Sequence, residues 1–97
     1  MIFSIHCVDR TDAGDLRAKT RPAHVEFLTS LGKNLILGGP FLADDAATPT
    51  GSFLLIEAAD KAAAEAIAAA DPYAQAGLFA ATTVKPFRIA FHNPPAA

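Results

Sequence analysis

The chain has 97 residues, 52% of them hydrophobic, and a formal net charge of −2 at neutral pH. That length makes a single domain. The small net charge and the lack of any basic run exclude nucleic acid and anionic membrane surfaces as expected partners. One cysteine, Cys7, excludes an internal disulfide and fits a reducing compartment, so the expected location is cytoplasmic.

The start of the chain reads directly as a strand, without the charged lead and long apolar run of a secretion signal. No apolar stretch reaches the roughly 18 residues that span a bilayer. A domain this small buries about two-thirds of its unfolded surface. The apolar surplus therefore predicts a subunit interface.

Ile2 to Asp9 alternates as a strand, with Phe3, Ile5 and Cys7 on one face and Ile2, Ser4, His6 and Val8 on the other. Apolar groups on both faces predict a central position. Arg10 to Gly14 reads as a loop, and Asp15 to Lys19 as a helical turn or two. Pro22 predicts a kink or a fresh helix start, because proline lacks the amide donor and clashes with the carbonyl four residues back. From there Phe27, Leu28 and Leu31 form an apolar stripe, with His24 at its head, one turn into the helix. Gly32 is placed to terminate it.

Leu35 to Leu42 is the second strand, and Gly38-Gly39-Pro40 predicts a bulge or a close backbone approach in its second half. Asp44 to Gly51 is a polar hairpin connection, and Ser52 to Ala58 the third strand. Asp60 caps a second helix from Lys61 to about Ala70, rich in alanine. Asp71-Pro72 stops it, and Pro72 to Ala76 forms one more turn closed by Gly77. Leu78 to Phe91 holds the last strand, with Pro86 as an edge or bulge marker. Residues 1–91 make the domain and residues 92–97 a flexible, proline-containing tail.

The order β-α-β-β-α-β is the ferredoxin-like α+β arrangement with an antiparallel sheet. Two helices cover one sheet face. A second copy of the chain, packed sheet to sheet, is the natural cover for the other.

The chemistry-bearing candidates are few. A carboxylate on one nitrogen of His24 fixes the tautomer and leaves the other nitrogen free to move protons. Asp71 is the expected partner, 47 residues on. Placement near a helix start disfavours the charged ring and opposes the carboxylate, a balance suited to a general base. Asp71 also reads as an N-cap for the turn ending at Gly77, and a capping carboxylate can face a pocket at the same time. Backbone amides freed by a bulge at Gly38-Gly39-Pro40-Phe41 can contact a ligand anion or carbonyl, the other reading being a plain bulge that shapes the sheet; a pair of glycines without a lysine and a following helix is no phosphate loop. Tyr73, Phe79 and Phe87 can line a pocket. His6, Cys7, His24 and His92 have no metal-ligand spacing, so no metal site is expected. Cys7 sits mid-strand as a small buried group, and Ser52 lacks the nucleophile-elbow pattern.

Several of these stretches together resemble the YCII-related domain family. The matches are Leu16-Arg17, Arg21-Pro22-Ala23-His24, the strand end Gly39-Pro40, Gly51-Ser52, Ala70-Asp71-Pro72-Tyr73 and Ala76-Gly77-Leu78. They run in order across nearly the whole chain, from Phe3 to Arg88. The resemblance implies a dimeric α/β barrel of ferredoxin-like subunits, similar to muconolactone isomerase-like proteins. It also implies an active-site pair at His24 and Asp71. The family includes an enzyme of chlorinated-aromatic breakdown that removes chloride from a hydroxylated ring.

The expected function is a small acid–base enzyme, a lyase or isomerase, acting on a compact cyclic or aromatic metabolite. His24 moves the proton, Asp71 orients it, and Gly39, Pro40 and Tyr73 shape the substrate site. No cofactor is expected, and the expected partners are a second copy of the chain and a small-molecule ligand. The alternative is a dimeric module that binds a small ligand, or assists a partner enzyme, without turning anything over.

Overall fold

The computed structural model describes residues 1–95. Four strands form one antiparallel sheet: β1 (Ile2–Asp9), β2 (Leu35–Leu42), β3 (Pro49–Glu57) and β4 (Phe79–Phe87). The strands lie in the order β2-β3-β1-β4, so the first strand is central, as its two apolar faces predict. Three helices join them: α1 (Leu16–Ser30), α2 (Lys61–Ala70) and the short α3 (Pro72–Gln75). The chain is an α+β ferredoxin-like fold. Among the described residues no helix is long and apolar enough to cross a membrane. The tail expected at residues 92–97 ends in two residues, 96 and 97, that lie outside the described ones.

Register assigns the faces. Phe3 pairs with Ile56, Ile5 with Leu54 and Cys7 with Ser52, and these side chains point to the helical side. There Phe3, Ile5, Cys7, Leu54 and Ile56 pack with Ala64 and Ala68 of α2. The two alanines, one turn apart, let that helix lie close on the sheet. On the other face Val8, Leu37, Phe41 and Phe87 stay 42–46% exposed.

Four expectations about local structure are corrected. First, Pro22 does not restart the helix. It lies inside one helix that runs from Leu16 to Ser30. The carbonyl it deprives, that of Ala18, belongs to an exposed residue within reach of water. Tertiary bonds hold the helix on both sides of the proline, through Arg17 before it and His24 after it. Gly32 does follow the helix with φ +59°, a left-handed conformation that suits glycine.

Second, Gly38, Gly39 and Pro40 pair in regular register with Leu54, Phe53 and Ser52, and the irregularities fall on either side, between Leu35 and Leu37 and between Phe41 and Leu42. The other alternative, a close approach to the backbone, holds at Gly38, where a Cβ would lie 2.7 Å from Leu54 Cδ2. Third, β3 begins at Pro49. That residue lies past the last pair with β1, Val8–Gly51, so its missing donor faces no strand on that side. Fourth, β4 ends at Phe87 because its partner β1 starts at Ile2, and Ile2 pairs with Phe87.

Candidate active site

Because α1 is continuous, His24 lies eight residues after Leu16, two turns into the helix. The N-terminal dipole fades within the first turn, so it plays no part at this ring. Asp71 sits where α2 stops and α3 begins. Its side chain accepts the amide of Tyr73 at 2.9 Å, capping the short helix that Pro72 opens. The same oxygen, Oδ1, lies 2.8 Å from Nδ1 of His24. Both residues are buried, His24 to 9% exposure and Asp71 to 3%.

A carboxylate can only accept, so Nδ1 carries the proton and donates it to Asp71. In the neutral ring, Nε2 then holds the lone pair. Among the described residues Nε2 makes no hydrogen bond to protein, and no fully buried side-chain nitrogen or oxygen lacks a partner. Nε2 therefore faces the cavity that His24 lines. That cavity measures about 730 Å³ and lies between α1, the β2–β3 edge and α3. Gly39, Pro40 and Tyr73 line it together with His24, and Asp71 stands behind the His24 ring, bonded to its far nitrogen. The five residues singled out in the sequence are thus gathered at one place. Cys7 and Phe87 do not line the cavity. Cys7 is buried, and burial pushes its thiol pKa up, which makes it a poor nucleophile. Phe79 meets Tyr73 edge-on at 6.0 Å, as packing support.

Tyr73 ties the site together. Its ring stacks on His24 with centroids 3.8 Å apart and planes 16° apart. The Arg17 guanidinium lies 4.6 Å from the same ring centroid. Burial raises the Tyr73 pKa, and the nearby Arg17 and Arg21 offset only part of that rise. The phenol therefore stays protonated at neutral pH and can serve as a hydrogen-bond donor.

Sequence reasoning missed three contributors: Arg17, its partner Asp9, and Arg21. Arg17 forms a two-pronged ion pair with Asp9, Nε and Nη2 each 2.8 Å from a carboxylate oxygen. Its Nη2 also donates to Ser52 Oγ at 2.9 Å. This network pins the start of α1 to the end of β1 and the body of β3. Arg21 lines the cavity as well. The signal for both arginines was present: Arg17, Arg21, His24 and Leu28 recur at helical spacing. Breaking the helix at Pro22 hid it. Among the described residues no three His, Cys, Asp or Glu side chains converge as a metal site would require.

The model of the YCII-related domain matches residues 1–88. The chain belongs to the YCII-related domain family. Protein YciI of Escherichia coli O6:H1 is 37% identical over 98 residues, spanning 94% of this chain and all of that protein. Protein YciI of Shigella flexneri matches equally. Among solved structures, 5-chloro-2-hydroxyhydroquinone dehydrochlorinase (TftG) of Burkholderia phenoliruptrix AC1100, in complex with 2,5-dihydroxybenzoquinone, superposes with a TM-score of 0.82 at 35% identity. The match covers 91% of this chain and 94% of that one. An antibiotic biosynthesis monooxygenase superposes with a TM-score of 0.52 at 16% identity, covering 88% of this chain and 94% of that one, a likeness of fold alone. The YCII-related segment contains every residue of the cavity described above.

Proposed function

We propose that the protein is a small acid–base enzyme of the lyase or isomerase class, acting on a compact cyclic or aromatic compound without a cofactor. One observation carries the reading: Nδ1 of His24 is held by Asp71 at 2.8 Å while Nε2 faces a cavity of ring-compound size. The buried carboxylate stabilises the imidazolium that forms when Nε2 takes a proton from the substrate. In a lyase step the electron pair released by that proton is pushed through the ring and expels a leaving group from carbon. In an isomerase step the imidazolium returns the proton to another carbon. Tyr73 donates a hydrogen bond to a substrate oxygen, and Gly39 and Pro40 form the wall opposite α1. The dehydrochlorinase, 35% identical with a TM-score of 0.82, supports a hydroxylated aromatic substrate.

The working unit of the proposal is a homodimer in the cytoplasm, joined through the open sheet face, whose exposed Val8, Leu37 and Phe41 need cover. The test is a screen of hydroxylated, halogenated aromatics and cyclic enols with the native chain and His24→Gln. Turnover in the native chain, lost in His24→Gln while binding persists, is the expected result. Tight binding with no chemical change over hours would make the protein a ligand-binding module instead.

A further inference from the structure

The acid–base reading leaves one cavity charge unused. Asp9 is neutralised by Arg17, and the cavity-lining Asp15 by Lys19 at 3.4 Å. Arg10 at the rim faces Asp12 at 3.5 Å. Arg21 also lines the cavity, and among the described residues no carboxylate lies within ion-pair distance of it. Arg21 precedes His24 by three positions on α1, a spacing that sets two side chains side by side on a helix surface. Its charge is felt at the Tyr73 phenol. Beyond these groups the lining mixes the hydroxyl side chains of Thr11, Thr48, Thr50 and Ser52 with apolar Val25, Leu28, Pro40 and Leu54.

We infer that Arg21 is the counter-ion for an ionised substrate oxygen, and that the cavity selects flat ring compounds bearing an acidic enol, phenol or hydroxyquinone group. The inference rests on the acid–base reading and narrows its substrate class. When Nε2 removes a proton, negative charge settles on the substrate, and a cation beside the base stabilises it. Guanidinium suits this task, because its planar fork donates two parallel hydrogen bonds to oxyanions. The aliphatic groups accept the ring body. Arg21 is exposed and, among the described residues, has no ion-pair partner, so its removal should leave the fold intact.

The test compares two probes in the native chain, Arg21→Gln, Arg21→Lys and His24→Gln. One is 2,5-dihydroxybenzoquinone, an acidic vinylogous acid. The other is its dimethyl ether, which cannot ionise. Both are titrated by calorimetry at neutral pH. The native chain is expected to prefer the acidic quinone, with affinity falling as salt rises. A charge-assisted hydrogen bond predicts ~10- to 100-fold weaker binding of the acid by Arg21→Gln. Binding of the ether should be unchanged, and Arg21→Lys should retain part of the preference.

Equal binding of the two probes by the native chain, no binding of the acid at all, or native-like binding by Arg21→Gln would each overturn the assignment. The acid–base reading is read separately, from turnover in His24→Gln. Native-like acid binding by Arg21→Gln, with turnover lost in His24→Gln, removes Arg21 from the site and leaves the base in place. Anion preference with turnover intact in His24→Gln keeps Arg21 and removes the base.

Discussion

His24 and Asp71 meet through an oxygen that already has a structural task. Asp71 Oδ1 receives the Tyr73 amide at 2.9 Å and the His24 ring nitrogen at 2.8 Å. The cap thus orients the carboxylate, and the carboxylate orients the imidazole. Tyr73, whose amide is capped, also returns to stack on that imidazole at 3.8 Å. His24 of α1, Tyr73 of α3 and the cap residue Asp71 brace one another, so the ring has little freedom to turn.

Asp71→Asn separates charge from capping. Asparagine caps a helix about as well as aspartate, so the melting temperature should move little. The lost negative charge no longer fixes the Nδ1–H tautomer or supports an imidazolium. Turnover is expected to fall ~10²- to 10⁴-fold. Nitrogen NMR should show the native Nδ1–H tautomer giving way to a mixture. Unchanged turnover and tautomer would leave Asp71 as a cap alone.

Arg17→Ala strands a carboxylate. The Asp9 side chain is only 12% exposed and Arg17 only 15%. Removing one partner of a pair buried that far costs about 2–4 kcal/mol, below the figure for a fully buried pair because some water reaches it. For a domain of this size 1 kcal/mol moves the melting temperature by about 4–8 °C. Arg17→Ala should therefore melt about 8 °C lower or more, and adding Asp9→Asn should recover part of the loss. A double variant no more stable than the single one would show that Arg17 acts by packing on Tyr73.

Two glycines should respond in opposite ways. A Cβ on Gly51 would run into the Cys7 carbonyl oxygen of the neighbouring strand, whereas one on Gly39 meets nothing within 4 Å. Gly51→Ala forces β1 and β3 apart and is expected to cost about 3 kcal/mol or more. Gly39→Ala should stay within about 0.5 kcal/mol of native. Chemical denaturation of the two variants checks both.

The β2–β3 hairpin carries its own pH signature. Asp45 accepts hydrogen bonds from the Thr48 hydroxyl and from the amides of Thr48 and Ala47. These bonds, that from the Thr48 side chain first, hold its carboxyl at about 2, below the ordinary 3.8. The folded value is depressed, so the contribution to stability is present above the unfolded value and is lost as pH falls through about 2. Carbon NMR of the Asp45 carboxyl should give a midpoint of about 2. Thr48→Val should move that midpoint upward.

The open sheet face should set the oligomeric state. Light scattering of the native chain is expected to give twice the 10.1 kDa chain mass. Phe41→Glu places a charge on that face, where Phe41 is 42% exposed and packs against His6 at 4.9 Å. It should yield a monomer with the fold retained by circular dichroism. A native monomer would end the sheet-to-sheet proposal.

Much of the fold can be read along the chain because local chemistry and tertiary packing agree there. Alternation of Phe3, Ile5 and Cys7 locates β1 and its buried face, and Asp60, Asp71 and Gly32 mark helix ends through bonds and angles that depend only on near neighbours. Pro22 is the contrary case. Its local preference argues for a break, but Arg17 and His24 anchor the helix to separate parts of the sheet and α3 and carry it through.

Periodicity and caps are short-range, so the order of residues alone settles the element order and the central first strand, while the pairing of His24 with Asp71 rests on the family resemblance. Three features of the site come instead from the folded chain. They are the nitrogen of His24 that faces the cavity, the seat of Tyr73 against both His24 and Arg17, and the lack of a carboxylate beside Arg21 among the described residues. Those features depend on contacts between residues far apart along the chain: 35 positions from Arg17 to Ser52 and 47 from His24 to Asp71. Spacing along a sequence carries no distance across such intervals until the sheet has closed.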